Sequence, residues 1–205
     1  MQESFRQLKP EKQQKIIHAA MKVFAQSPYS KASTDDIASL AGISKGLLFY
    51  HFKNKKELYC FLYEYSCGKI LEGIEQSGAL AETDFFDRNI KITQSRVRTL
   101  AAYPDIFEFA LRAYYETEPL VAAEIKTINQ QVLNSNYRVM YENIDTSRFR
   151  CDEDIGKAIR MIVWIGDGFI KERRTEGKLD LQALEAEACT YIEVLRQGFY
   201  RSNKE

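Results

Sequence analysis

The sequence predicts an all-α fold of about nine helices. Three observations predict it. Apolar residues recur every three or four positions along most of the chain. Capping residues and prolines stand where those stretches begin. Alternating strand patterns are absent. With 205 residues, 45% of them hydrophobic and 28% charged, the chain is long enough for one or two domains with a sizeable core.

The elements follow in order. Pro10 and Glu11 suit a first helical turn. Ile16, Ile17, Ala20, Val23 and Phe24 then recur at helical spacing until Ser27-Pro28 ends the helix. Ser33, with Asp36 three residues on, resembles a capping box for a short second helix over roughly 34–40. Ala41-Gly42-Ile43 is a tight turn whose glycine suits a left-handed C-cap. Ser44 caps a third helix that reaches about His51, and Asn54 caps a long fourth with Leu58, Phe61, Leu62 and Tyr65 on one side. Five more helices are expected. One spans about 84–102 and breaks near Pro104, and a short one covers 106–114. Pro119 opens the next, with a stripe at Val121, Ile125, Ile128, Val132 and Met140. Another runs from 153 to 175 between Asp152 and Gly177, and Asp180 caps the last, over 181–200.

The chain is neutral overall, but residues 1–60 hold ten basic and five acidic side chains, a net of five positive charges that the remainder offsets. A basic head on an acidic body suits contact with a polyanion. No apolar run approaches the roughly 18 to 20 residues that span a bilayer, and the polar stretch from Met1 to Lys15 is unlike a secretory signal, so no membrane role and a cytoplasmic location are expected. Cys60, Cys67, Cys151 and Cys189 form no CxxC pair, and His18 and His51 stand alone, so neither a metal site nor a cofactor is expected. P-loop, GxGxxG and HExxH motifs are absent, which argues against an enzyme.

The informative stretch runs from Ser33 to Leu58. Two short helices flank a three-residue turn containing Gly42, the geometry of a helix-turn-helix whose second helix enters the major groove of DNA. Ser44 and Thr34 stand at helix N-termini, where hydroxyl and free N–H groups hold phosphate. Lys45 opens the recognition helix and can donate to guanine O6 and N7. Gly46 permits close backbone approach. Tyr50, His51 and Lys55 can donate to phosphate oxygens. Leu47 and Phe49 divide between packing and contact with thymine methyl groups. Ile37, Ala38, Ala41, Ile43, Leu48 and Phe52 are expected to form the core of this head.

Residues 41–58, AGISKGLLFYHFKNKKEL, with Ser33-Thr34-x-x-Ile37-Ala38 upstream, closely resemble the signature of the TetR family. The resemblance implies a three-helix DNA-binding domain, placed here at 1–54, and a helical ligand-binding and dimerisation domain at 55–205. It implies a regulator, as a rule a repressor, that binds a palindromic operator in double-stranded DNA as a homodimer and is released by a small-molecule effector. By motif position, Thr34, Ser44, Lys45, Gly46, Tyr50, His51 and Lys55 look like DNA contacts. Asp35 departs from the neutral or basic residue common at its position. Its carboxylate would repel phosphate and suits the positive N-terminus of the second helix instead.

The last two helices would form the dimer, through Ile155, Ile159, Ile162, Phe169 and Ile170 on one and Leu184, Tyr191 and Leu195 on the other. Phe107, Tyr137, Tyr141, Trp164 and Asp167 are the candidates for an apolar effector cavity. Acids near these aromatics, Glu108, Glu116 and Asp167, would suit a cationic lipophilic effector. The alternatives are an activator or chromosome-organising protein of the same fold, or a helical interaction protein without DNA binding.

Overall fold

The computed structural model describes residues 3–176 and 180–201, with the backbone alone for 173–176. Among the described residues there are ten α-helices: α1 Glu3–Arg6, α2 Pro10–Gln26, α3 Thr34–Ala41, α4 Lys45–His51, α5 Lys55–Gln76, α6 Phe85–Ala102, α7 Pro104–Tyr114, α8 Pro119–Tyr141, α9 Asp154–Glu176 and α10 Leu181–Phe199. A 3₁₀ turn at Ala79–Ala81 joins α5 to α6. Among the described residues, strand pairing is limited to two isolated bridges.

The caps act as the sequence requires. The Ser33 hydroxyl accepts from the Asp36 amide at 3.2 Å, and that of Ser44 from the Leu47 amide at 3.1 Å. The Asn54 and Asp180 side chains accept from the Glu57 and Gln182 amides, each at 2.9 Å or less. Each bond satisfies an amide that the first helical turn leaves without a carbonyl. Gly42 adopts φ 67° and ψ 36° at the C-cap of α3, a left-handed conformation costly for a side chain with a Cβ. Gly177, expected to end α9, lies outside the described residues.

Two differences from expectation stand out. The N-terminus forms a short helix, α1, because Phe5 is fully buried against Phe52, Phe61 and His51, with ring centroids 5.0–5.9 Å away. And although the helix breaks before Pro104 as expected, α7 begins at Pro104 itself and not at 106, since its missing N–H costs nothing in a first turn.

The chain packs as two units. The first comprises residues 1–70 and 102–136, so α1–α4, most of α5, α7 and most of α8 share one core. Ile37, Ala38, Ala41, Leu48 and Phe52 are buried in it as expected, with Ile43 packed against it. Aromatic rings join the head to α7: Phe24 meets Tyr59 edge-on at 4.9 Å, and Tyr59 meets Phe109 at 5.1 Å. Within this unit Arg112 donates to the Ala25 carbonyl at 2.9 Å, and Glu116 accepts from the Tyr29 amide at 3.2 Å. The division at residue 54 therefore falls inside a packing unit.

The second unit comprises 71–101 and 137–205. Phe85, Phe86, Phe149 and Tyr200 form its aromatic centre, with Ala158 and Ile159 from α9 and Ile192 and Leu195 from α10. Arg88 is buried here with Nε and Nη1 directed at backbone oxygens: Nε to the Glu82 carbonyl, Nη1 to those of Met140 at 3.1 Å and Glu142 at 2.8 Å. A charge can be buried at this position because it caps the last turn of α8.

Candidate functional site

Helices α3 and α4 and the Gly42 turn present the face expected to meet DNA. Ser44, Lys45 and Gly46 are exposed along the start of α4, and Thr34 is half-exposed at the start of α3. The Ser44 hydroxyl spends an acceptor site on the Leu47 amide and keeps its hydrogen for another partner. Tyr50 is 70% exposed. A Cβ built on Gly46 would meet only the Ser44 oxygen, at 4.0 Å, so nothing inside the protein requires glycine there. Leu47 and Phe49 are half-exposed, between the two roles considered for them, while Leu48 points into the core.

Three residues behave otherwise than expected. His51 is 2% exposed, its Nδ1 lies 3.2 Å from the Ser4 hydroxyl, and its Nε2 is buried without a partner. It turns inward because α1 and Phe5 cover the end of α4, so its ring does not face a phosphate. Burial, with Lys12 nearby, holds its pKa below the ordinary imidazole value. Lys55 is committed internally. Its ammonium donates to the carbonyls of Tyr29 at 2.7 Å and Ala32 at 3.1 Å and sits 4.6 Å from the Tyr29 ring centroid. It ties the start of α5 to the loop that precedes α3. Asp35 is not reserved for the end of α3, because its carboxylate pairs with Lys45 at 2.8 Å. That pair is exposed, and it holds the first side chain of α4 across the turn.

An open groove on the head is lined by Gln14, Lys15, His18, Ala19 and Lys22 of α2 and by Ser39–Gly42. His18 faces Asp105 at 2.8 Å. None of the five aromatic or acidic ligand candidates lines this groove.

Those candidates divide between the two units. Phe107 belongs to the first unit and is half-buried in α7. In the second, Tyr137 and Tyr141 pack with ring centroids 5.2 Å apart, Tyr141 stacks on Phe85 at 5.7 Å, and its hydroxyl donates to Asn89 at 3.2 Å. Trp164 is 67% exposed on α9, so it lines no enclosed cavity. The carboxylates proposed for a cationic effector are placed elsewhere as well: Glu116 accepts from the amides of Tyr29, Thr117 and Glu118, and Glu108 is exposed on α7.

The expected dimer residues also divide. Ile159, Phe169 and Leu195 are buried within the chain, and Ile155 and Ile162 pack against its own core. Ile170 and Leu184 are half-exposed. Only Tyr191 of the set is exposed, at 45%, and its ring still packs on that of Phe169, with centroids 5.2 Å apart. The exposed large apolar side chains of these helices are instead Met161, Val163 and Trp164 on α9 and Tyr191 and Val194 on α10. Helices α9 and α10 carry apolar residues on two faces, and periodicity alone assigned the inner one to the partner.

Two capped helices around a glycine turn, with the second helix exposed, have the form of a helix-turn-helix. Residues 16–59 match the family model of bacterial regulatory proteins, tetR family. Over 130 residues it is 32% identical to the HTH-type transcriptional activator FasR of Mycolicibacterium smegmatis, covering 58% of this chain and 54% of that protein. Over 65 residues it is 32% identical to the fatty acid metabolism regulator protein of Bacillus subtilis, covering 32% of this chain and 34% of that protein. The chain thus spans about half or less of the length of these curated relatives. In fold it resembles FadR of Bacillus subtilis, solved in complex with stearoyl-CoA, with a TM-score of 0.64 and 20% identity over 87% of this chain and 96% of that one.

Proposed function

We propose that the protein is a ligand-responsive transcriptional repressor that binds a palindromic operator as a homodimer and leaves it when a small lipophilic effector binds. The observation that carries this reading is the α4 face. Ser44, Lys45, Gly46 and Tyr50 lie together in solvent on a rigid, capped helix, and Thr34 stands at the start of α3. Leu47 and Phe49 supply apolar surface beside them. Residues 1–54 are the DNA-reading head in this proposal, and 55–205 supply effector binding and dimerisation. A two-fold operator needs two recognition helices about 34–36 Å apart, so the head requires a partner copy. The exposed Trp164 of α9 and Tyr191 of α10 suit that role, residues of the kind that anchor interfaces.

Helix α5 links the functions. It begins in the first unit and ends in the second. An effector that binds better to the state with widely spaced heads shifts the population away from DNA. The activator reading has one specific observation behind it, the similarity to a relative that is itself an activator.

Selection from a pool of random duplexes, each about three helical turns long, tests the proposal. Enrichment of an inverted repeat with half-sites about one turn apart is expected. Recovery of single half-sites only contradicts the dimeric reading, and no enrichment contradicts sequence-specific binding. A reporter placed behind the recovered site then gives the sign of regulation.

A further inference from the structure

We propose that Asp35 is a specificity-determining residue of the DNA-reading face. Together with Lys45 it reads one G·C base pair, the ammonium donating to guanine and the carboxylate accepting from the amino group of cytosine. This rests on the DNA-binding reading and names a base pair that the operator must hold. The observation behind it is the ion pair. Lys45 Nζ lies 2.8 Å from Asp35 Oδ2 and joins the first residue of α4 to the first turn of α3. The two side chains are 49% and 68% exposed, so water screens the pair and it adds little to stability. Nor does the positive end of α3 depend on this carboxylate, because Asp36 supplies another in the same turn. Beside DNA the carboxylate is unfavourable on every sequence, since the phosphates repel it wherever the protein lands. That repulsion is offset only where a base offers the carboxylate a hydrogen.

The donors and acceptors of the ion pair match those of one base pair. Side chains at the start of a recognition helix reach base edges in the major groove. Whatever edge the Lys45 ammonium reaches, the Asp35 carboxylate, 2.8 Å away, is carried to it as well. The ammonium has three hydrogens and gives one to Asp35, which leaves two. Guanine presents two adjacent acceptors, N7 and O6, and the amino group of its cytosine follows beside O6 as a donor. A carboxylate has about four acceptor sites, so Asp35 keeps room for that donor while it holds Lys45. An A·T pair sets the adenine amino group between its two acceptors, N7 and thymine O4, so the two ammonium hydrogens find no adjacent pair of sites. Asp35 also restrains a flexible stem that would otherwise swing to the nearest phosphate, a contact without sequence information.

The test uses the full chain and the duplex that the wild type selects from a random pool. Affinities are measured by fluorescence anisotropy for that duplex and for versions in which each G·C pair in turn becomes A·T. The wild type is expected to lose about tenfold or more at one such pair in each half-site. In Asp35→Ala the loss at that pair shrinks at least several-fold, discrimination elsewhere in the site is kept, and duplexes without the site are bound more tightly than by the wild type. Lys45→Met loses discrimination at the same pair. Should Asp35→Ala lose cooperative melting, Asp35→Asn replaces it, with a partial loss of discrimination expected. A change in Asp35→Ala that is uniform over all duplexes overturns the proposal, because a structural or purely electrostatic role would act on every sequence alike. So does a wild type that is indifferent to every G·C pair, or undiminished discrimination in the variant. Absence of any selective binding by the wild type contradicts the DNA-reading function and the proposal with it, whereas selective binding that Asp35→Ala leaves unaltered overturns the proposal alone.

Discussion

Individual residues of the head separate reading from folding. Gly46 is the clearest case. A methyl group there meets nothing nearer than 4.0 Å, and alanine favours a helix over glycine by up to about 1 kcal/mol. Gly46→Ala is therefore expected to melt at the same temperature or higher while binding operator DNA at least several-fold more weakly, because its methyl would occupy the space the DNA backbone needs. Thermal melting and fluorescence anisotropy on one preparation check both halves. His51 behaves oppositely. Its imidazole is buried neutral with a lowered pKa. Above the ordinary imidazole value of about 6.5 both folded and unfolded forms are neutral and the penalty is absent; as the pH falls through that value the unfolded chain takes up the proton more readily and stability declines. The melting temperature of the wild type should thus fall more steeply than that of His51→Phe between neutral pH and about pH 5.5. Equal slopes would show that His51 does not contribute. The helix-turn-helix motif marked His51 as a polar residue beside DNA, and only the packing of Phe5 over the end of α4 shows it to be a core residue.

At the scale of elements, the head was legible because its signals are local. A hydroxyl at Ser33, another at Ser44 and a glycine at position 42 act within four residues, so the boundaries of α3 and α4 follow from the sequence. Helix α1 was not legible, since four residues around Phe5 hold a helix only through contacts with Phe52 and Phe61, some fifty residues away. The same distance effect reassigns Lys55. Motif position suggested a phosphate contact, whereas its ammonium binds carbonyls in the 29–32 loop. Lys55→Met should destabilise the protein by about 1.5–3 kcal/mol, the range for hydrogen bonds to a charged group, seen as a lower denaturation midpoint. The salt dependence of DNA binding by the folded fraction should be unchanged. A slope reduced by about one would restore the phosphate role.

For the whole molecule, two apolar faces on one helix are the limit of sequence reading. Ile159 and Phe169 share α9 with Trp164, and nothing in their spacing tells which face meets the chain's own core. The outward position of Trp164 gives the dimer a direct test. Trp164→Glu should remain helical and become monomeric at micromolar concentration by light scattering, with operator affinity lowered in step. A variant that stays dimeric would place the interface elsewhere. The measurement that bears most directly on the central claim is equilibrium binding of the full chain to DNA from its own upstream region, at several salt concentrations, beside a Lys45→Ala, Tyr50→Ala double variant. The account predicts tight, sequence-selective binding that the variant loses while keeping its fold. Binding that is weak, equal on every sequence and unaltered in the variant would contradict the claim that α4 reads DNA.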